Sequence, residues 1–170
     1  MGNNGGDIVR IAVCSDIHDN IWKLATVLQN ISDWDALVFC GDFCAPFTLA
    51  QIAEAFAGPI HVVWGNNDGD KWLLTGNARS AGNVTLHGDL GEVKTGGRYI
   101  AVNHYPRIAR GLALSGLYDA VFYGHDHTPH QERVGGTLLL NPGEVMGRFG
   151  KSTFASYDTR TGEGEIIEVR

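Results

Sequence analysis

Short apolar runs alternate with helical patterns through the first half of the chain. After Asp19, apolar residues recur at intervals of three and four as far as Ile31, which predicts a helix capped by Asp19 or Asn20. Strict alternation of strands and helices favours parallel strands joined by right-handed crossovers. The predicted strands are 8–14, 36–40 and 60–64, and the other predicted helices are 46–57 and 68–79.

Pairs of strand-like runs joined by glycine characterise the second half. Gly96-Gly97, Gly135-Gly136 and Gly162 each lie between two such runs, as expected for tight hairpin turns that need positive φ. One helix, 106–117, and one buried strand, 120–123, lie among these hairpins. The paired runs are 92–94 with 98–102, 131–134 with 137–140, and 152–158 with 165–169.

Composition limits the class of protein. A chain of 170 residues that is 44% hydrophobic can build one well-packed core, so we expect a disordered tail at 1–6 and a single domain at 7–170. No apolar run approaches the roughly 18 residues of a membrane span. The net charge of −6 comes without a basic patch, which argues against stable nucleic-acid binding. Three cysteines do not suggest a disulfide framework, and we expect a reducing, cytoplasmic location, with Cys14 and Cys40 as buried apolar residues.

Metal-capable side chains stand where five strand-like runs end. Ligands of open α/β sheets bind at the carboxyl ends of strands, so these side chains are expected to meet at one edge. Their carboxylate and amide oxygens suit hard cations, whereas their imidazoles suit Mn, Fe, Ni, Co or Zn. The mixture predicts two divalent transition ions bridged by one carboxylate. The residues are Asp16, His18, Asp42, Asn66, His104, His125 and His127.

These motifs resemble those of the calcineurin-like metallophosphoesterases, over about residues 8–169. The resemblance is strongest to the small prokaryotic phosphodiesterases related to the retromer subunit Vps29. Asn141-Pro142-Gly143, followed by Arg148, is similar to that branch too, although the branch usually has Ser where Glu144 stands. The other motifs that carry the resemblance are Asp16-x-His18, Gly41-Asp42, Gly65-Asn66-x-Asp68, His104 and Gly124-His125-x-His127.

The resemblance implies an α/β fold, a four-layer α/β/β/α sandwich of two mixed β-sheets. It implies a phosphate ester substrate and two divalent ions, with manganese expected first and nickel, iron, cobalt or zinc as alternatives. A hydroxide between the ions would attack phosphorus. By motif, one ion takes Asp16, His18 and His127, the other takes Asn66, His104 and His125, and Asp42 bridges them.

Position 67 departs from many relatives, which have His there as a general acid. Asn67 cannot protonate a leaving alkoxide but can hydrogen-bond a phosphoryl oxygen, so we expect a limited catalytic and substrate-binding role. Asp68 either caps the next helix or orients a catalytic group. Arg148 is expected to bind substrate phosphate.

Three functions follow from these residues. The leading hypothesis is a metal-dependent phosphodiesterase. A non-catalytic, protein-binding scaffold of the Vps29 kind is the second, but such a scaffold is free to lose ligands, and all seven positions here hold donors. A nucleotide or phosphomonoester phosphatase is the third, and it favours His at position 67. A homo-oligomer is compatible with each of them.

Overall fold

The structure, a computed structural model, describes residues 9–170. The tail expected at 1–6 lies outside the described residues, and the division into a tail and a single domain stays a prediction. None of the helices within 9–170 combines the length and apolarity needed to cross a bilayer. The helices are α1 (Ile21–Asn30), α2 (Pro46–Ala55), α3 (Lys71–Ala81) and α4 (Pro106–Leu114). The strands are β1 (Arg10–Cys14), β2 (Ala36–Phe39), β3 (Ile60–Val62), β4 (Val84–Leu86), β5 (Leu90–Thr95), β6 (Arg98–Asn103), β7 (Ala120–Phe122), β8 (His130–Val134), β9 (Thr137–Asn141), β10 (Thr153–Asp158) and β11 (Glu163–Glu168).

The strands form two mixed sheets. The first has the order β11-β10-β1-β2-β3-β4, in which β1 to β4 are parallel and the C-terminal hairpin β10–β11 is antiparallel to β1. The second has the order β5-β6-β7-β9-β8, with β6, β7 and β9 parallel. Both sheets therefore present the carboxyl ends of parallel strands.

Alternation along the strands divides the buried side chains between layers. On β2, Leu37 packs in one cluster with the helices α1, α2 and α3, whereas Val38 points into the space between the sheets. On the far side of the second sheet, Ala109 and Ala113 of α4 pack against Val121. The four layers α/β/β/α confirm the predicted fold class.

The observed elements differ from the predicted ones mainly at their ends. Helix α2 stops two residues early because Phe56 is extended. Helix α3 starts three residues late because Asp70, not Asp68, caps it. Helix α4 stops three residues early, shortly before the left-handed Gly116. The cap of α1 is Asn20, and the short strand β4 was not predicted.

Candidate metal centre

The seven predicted ligands come together at the edge where the parallel strands of both sheets end. The His125 backbone N–H donates to Asp16 Oδ2 at 3.0 Å, which joins the second sheet to the first at this point. The rule that ligands gather at strand ends therefore applies to both sheets at once. The first sheet supplies Asp16 and His18 after β1, Asp42 after β2 and Asn66 after β3, and the second supplies His104 after β6 and His125 and His127 after β7.

One group of donors surrounds the buried Asp16. Its Oδ1 lies 3.8 Å from His18 Nε2 and 3.6 Å from His127 Nε2. Within the described residues, Asp16 Oδ1 and His18 Nε2 are buried atoms without a hydrogen-bond partner. Buried polar atoms are normally paired, and an unpaired one costs about 1–3 kcal/mol. A divalent cation among these three donors would satisfy the unpaired atoms, so the residues fit a metal.

A second group of donors lies on the other side of the edge. His104 Nε2 is 3.1 Å from Asn66 Oδ1, and His125 Nδ1 is 2.9 Å from the same oxygen. The two imidazole nitrogens are 3.2 Å apart. One amide oxygen and two ring nitrogens therefore converge on one point, a donor set that suits a divalent transition ion.

Asp42 stands between the two groups. Its Oδ2 is 3.6 Å from His18 Nε2 and 3.4 Å from His104 Nε2, so a single oxygen faces both. Burial alone would raise the pKa of Asp42, but the adjacent His104 and two hydrogen bonds donated by Asn67 outweigh it and hold the pKa below its usual range. The carboxylate is therefore ionised at neutral pH, as a bridging ligand must be.

Hydrogen bonds on the far side of two rings fix their tautomers. His104 Nδ1–H donates to the Cys40 carbonyl at 2.7 Å, and His127 Nδ1–H donates to Glu144 Oε2 at 2.8 Å. Because both acceptors lack a proton to give, each ring carries its proton on Nδ1. The Nε2 atoms that face the centre are left with free lone pairs, the form that binds metal.

The backbone of this edge is strained. Left-handed φ values at residues other than glycine are uncommon and cost of order 1–3 kcal/mol each. A Cβ at Gly65 would overlap the Asp42 carboxylate, and one at Gly124 would overlap the side chains of Ser15 and Asp16. The glycines therefore admit donor side chains close to the chain. Positive φ occurs at five of the predicted ligands, Asp16, His18, Asp42, His125 and His127.

The other predicted site residues lie at or near this edge. Asp68 accepts the backbone N–H groups of Asp42, Cys44 and Gly65 at 3.1, 2.8 and 2.7 Å, so it orients the loops that carry ligands and does not cap α3. Asn67 donates to both oxygens of Asp42, through its backbone N–H and its side-chain amide, each at 2.8 Å.

Arg148 is exposed, and its guanidinium carbon lies 5.3 Å from the Phe149 ring centre. Phosphate binding by Arg148 and the roles of Asn67 in catalysis and substrate binding stay predictions.

Three side chains outside the predicted site residues also contact the rings of the centre. Glu144 is buried beside His127, and the Phe149 ring centre lies 5.2 Å from that of His127. On the opposite side, the Tyr105 ring lies 5.1 Å from His104 and 5.2 Å from His125. The only sequence signal for Glu144 is an acidic residue in a motif position where serine is usual.

The chain is similar to known phosphoesterases in sequence and in fold. The family model described as the calcineurin-like phosphoesterase superfamily domain matches residues 9–162. Phosphodiesterase MJ0936 of Methanocaldococcus jannaschii is 29% identical over 163 residues, 91% of this chain and 96% of that protein. A solved archaeal phosphodiesterase superposes with a TM-score of 0.87 at 27% identity, over 94% of this chain and 99% of its own. Vps29 of Entamoeba histolytica, solved with Zn²⁺, superposes with a TM-score of 0.64 at 20% identity, over 95% and 99%, which is a likeness of fold.

Proposed function

The chain belongs to the calcineurin-like phosphoesterase superfamily, and we propose that it is a phosphodiesterase that works with two divalent metal ions. The observation that carries the proposal is Asp42 Oδ2, which faces His18 Nε2 and His104 Nε2 at 3.6 and 3.4 Å. A single ionised oxygen between two groups of donor atoms is the arrangement that a bridging ligand requires. The phosphodiesterase name of the relative MJ0936 supports the reaction class.

The described donors divide naturally between two ions. Asp16, His18 and His127 would hold one, and Asn66, His104 and His125 would hold the other. When bound, two such cations supply an acidified water as nucleophile and neutralise the phosphoryl oxygens. Manganese is the proposed metal, and iron, nickel, cobalt and zinc suit the same donors.

Residues around the donors would determine which phosphate esters the site prefers. Asn67 would donate an amide hydrogen bond to a phosphoryl oxygen, and the exposed Arg148 would add charge at the rim. The Asn67 side chain cannot protonate a leaving group, and this favours diesters with stable leaving groups over alkyl monoesters.

A scaffold without activity would not need both complete donor groups. Cytoplasmic location and homo-oligomerisation stay predictions.

Replacing Asp42 by Asn tests the proposal. We expect wild-type protein to bind two manganese ions and the variant to bind one or none, because the bridging charge is removed. The value of kcat/KM for an aryl phosphodiester should fall by about 10³-fold, equivalent to about 4 kcal/mol.

Asp33→Asn is the matched control, since Asp33 is an exposed carboxylate in the turn between α1 and β2, at the opposite end of the strands. Metal content by elemental analysis and activity should both match wild type in that variant. Wild-type turnover by a folded Asp42→Asn protein would refute the bridging role, and failure of the wild type to bind metal under any loading condition would refute the function.

A further inference from the structure

Glu144 is a fully buried carboxylate that contacts both a predicted metal ligand and the neighbouring loop. Its Oε2 accepts the His127 Nδ1–H at 2.8 Å. Its Oε1 accepts the backbone N–H groups of Phe149 at 2.6 Å and Gly150 at 2.8 Å. Burial of a carboxylate is costly unless its oxygens are paired, and here three donors converge on the two oxygens.

We propose that Glu144 is a positioning residue, which orients His127 for metal binding and holds residues 149–150 beside it. The proposal rests on the proposed function, because it requires an ion at His127. A carboxylate on Nδ1–H leaves the Nε2 lone pair free, and that atom lies 3.6 Å from Asp16 Oδ1. A hydrogen-bonded carboxylate is a common partner of ligating histidines and fixes the orientation of the ring.

Glu144 also holds the loop that lies beside His127. The backbone N–H of Phe149 binds Glu144, while the Phe149 ring meets the His127 ring edge to face, with an angle of 86° between their planes. Residue 149 is therefore attached to His127 twice, once through Glu144 and once through its ring. Because Phe149 is 70% exposed, packing by itself does not fix its loop, and the carboxylate takes that role.

The proton on His127 gives a test that needs no metal and no activity. In metal-free wild-type protein, ¹⁵N chemical shifts of the His127 ring should place the proton on Nδ1. Glu144→Gln keeps the size of the side chain but has one acceptor oxygen, so it cannot accept from both His127 and the loop. If the amide NH₂ faces His127, it can only donate, so the proton of that ring should move to Nε2. If the amide oxygen faces His127, the loop amide signals of Phe149 and Gly150 should shift.

Metal affinity gives the second readout. In competition with a chelator, the Glu144→Gln protein should bind one of the two manganese ions about 10–100-fold more weakly and the other with near wild-type affinity. Thr153→Val is the matched control, because the buried Thr153 hydroxyl donates to the Pro142 carbonyl at 2.7 Å in the same region without touching His127. It should keep both wild-type affinities and the Nδ1 proton.

The results of these experiments distinguish a failure of the Glu144 role from a failure of the proposed function. A proton on Nε2 of His127 in the wild type would overturn the inference whether or not the variant folds. A folded Glu144→Gln protein with unchanged manganese affinity would also overturn it. An equal loss of manganese affinity in Thr153→Val would do the same, because it would reflect a general destabilisation of this region. If the wild type binds no metal while His127 carries its proton on Nδ1, the proposed function fails and the hydrogen bond stands.

Discussion

Replacing Asn67 by His tests how the leaving group obtains its proton. A positioned general acid contributes about 10²–10⁴-fold, and an amide cannot provide it. Nitrophenolate leaves without a proton, whereas an alkoxide does not. In the wild-type protein, kcat/KM should therefore fall steeply across a series of phosphodiesters as the pKa of the leaving group rises.

The structure limits what the new imidazole can add. Asn67 is exposed, and its side-chain amide reaches Asp42 Oδ2 at 2.8 Å. Asp68 is the adjacent carboxylate, but its two oxygens already accept three backbone N–H groups, so it is not free to orient a ring at position 67. For an unoriented histidine we expect a gain of about tenfold with alkyl leaving groups, below the range of a positioned acid, and less than about twofold with nitrophenolate.

The assay is kcat/KM of manganese-loaded wild type, Asn67→His and Asn67→Gln over the same ester series. Asn67→Gln is the control because it keeps an amide and gains no acid, so its dependence on leaving-group pKa should stay as steep as that of wild type. The dependence should flatten only in Asn67→His. A flat wild-type dependence, with chemistry limiting the rate, would refute the reasoning, because another group would then supply the proton.

Two further predictions concern packing and stability. Gly65→Ala should lower activity about 10²-fold by displacing Asp42, whereas Gly69→Ala, whose Cβ would meet nothing within 4 Å, should match wild type in the same assay. Burial and the neighbouring His87 lower the pKa of His61 to about 4, so the unfolded chain binds this proton first as the pH falls. The contribution of His61 to the free energy of unfolding should therefore be fully present above about pH 6.5 and be lost towards pH 4, a loss of about 1–2 kcal/mol after allowance for the partial exposure of the ring. Urea titrations of metal-free protein at several pH values should show that the free energy of unfolding falls less with decreasing pH in His61→Gln than in wild type. An unchanged slope would contradict the assignment.

The order of elements was predictable because hydrophobic periodicity records which faces are buried. Runs such as 36–40 and 120–123 are apolar at successive positions since both faces of their sheets are covered, one by helices and one by the other sheet. Strand β4 has only three residues and none of its side chains is fully buried, so it lacks the run of successive apolar residues that predicts a buried strand. Helix ends depended on single backbone conformations, as at Phe56, which periodicity does not report.

The gathering of ligands was predictable because strand ends meet by topology, but their orientation was not. Which nitrogen of His104 faces the centre depends on the carbonyl of Cys40, a residue 64 positions earlier in the chain. The contact of His127 with Glu144 spans 17 positions and joins two loops. Neither loop has a repeating pattern, so the sequence contains the residues of these contacts without indicating that they meet.

Two buried carboxylates outside the predicted ligand set hold this edge in its strained form. Asp68 accepts three N–H groups from the loops after β2 and β3, and Glu144 accepts three from His127 and the loop at 149–150. Each therefore fixes ligand-bearing backbone or a ligand ring by hydrogen bonds that leave the donor atoms facing the centre unused. Left-handed residues at the centre cost of order 1–3 kcal/mol each, and such strain persists only where surrounding bonds impose it. The hydrogen bonds of Asp68 and Glu144 therefore impose the strained backbone that brings the donors together.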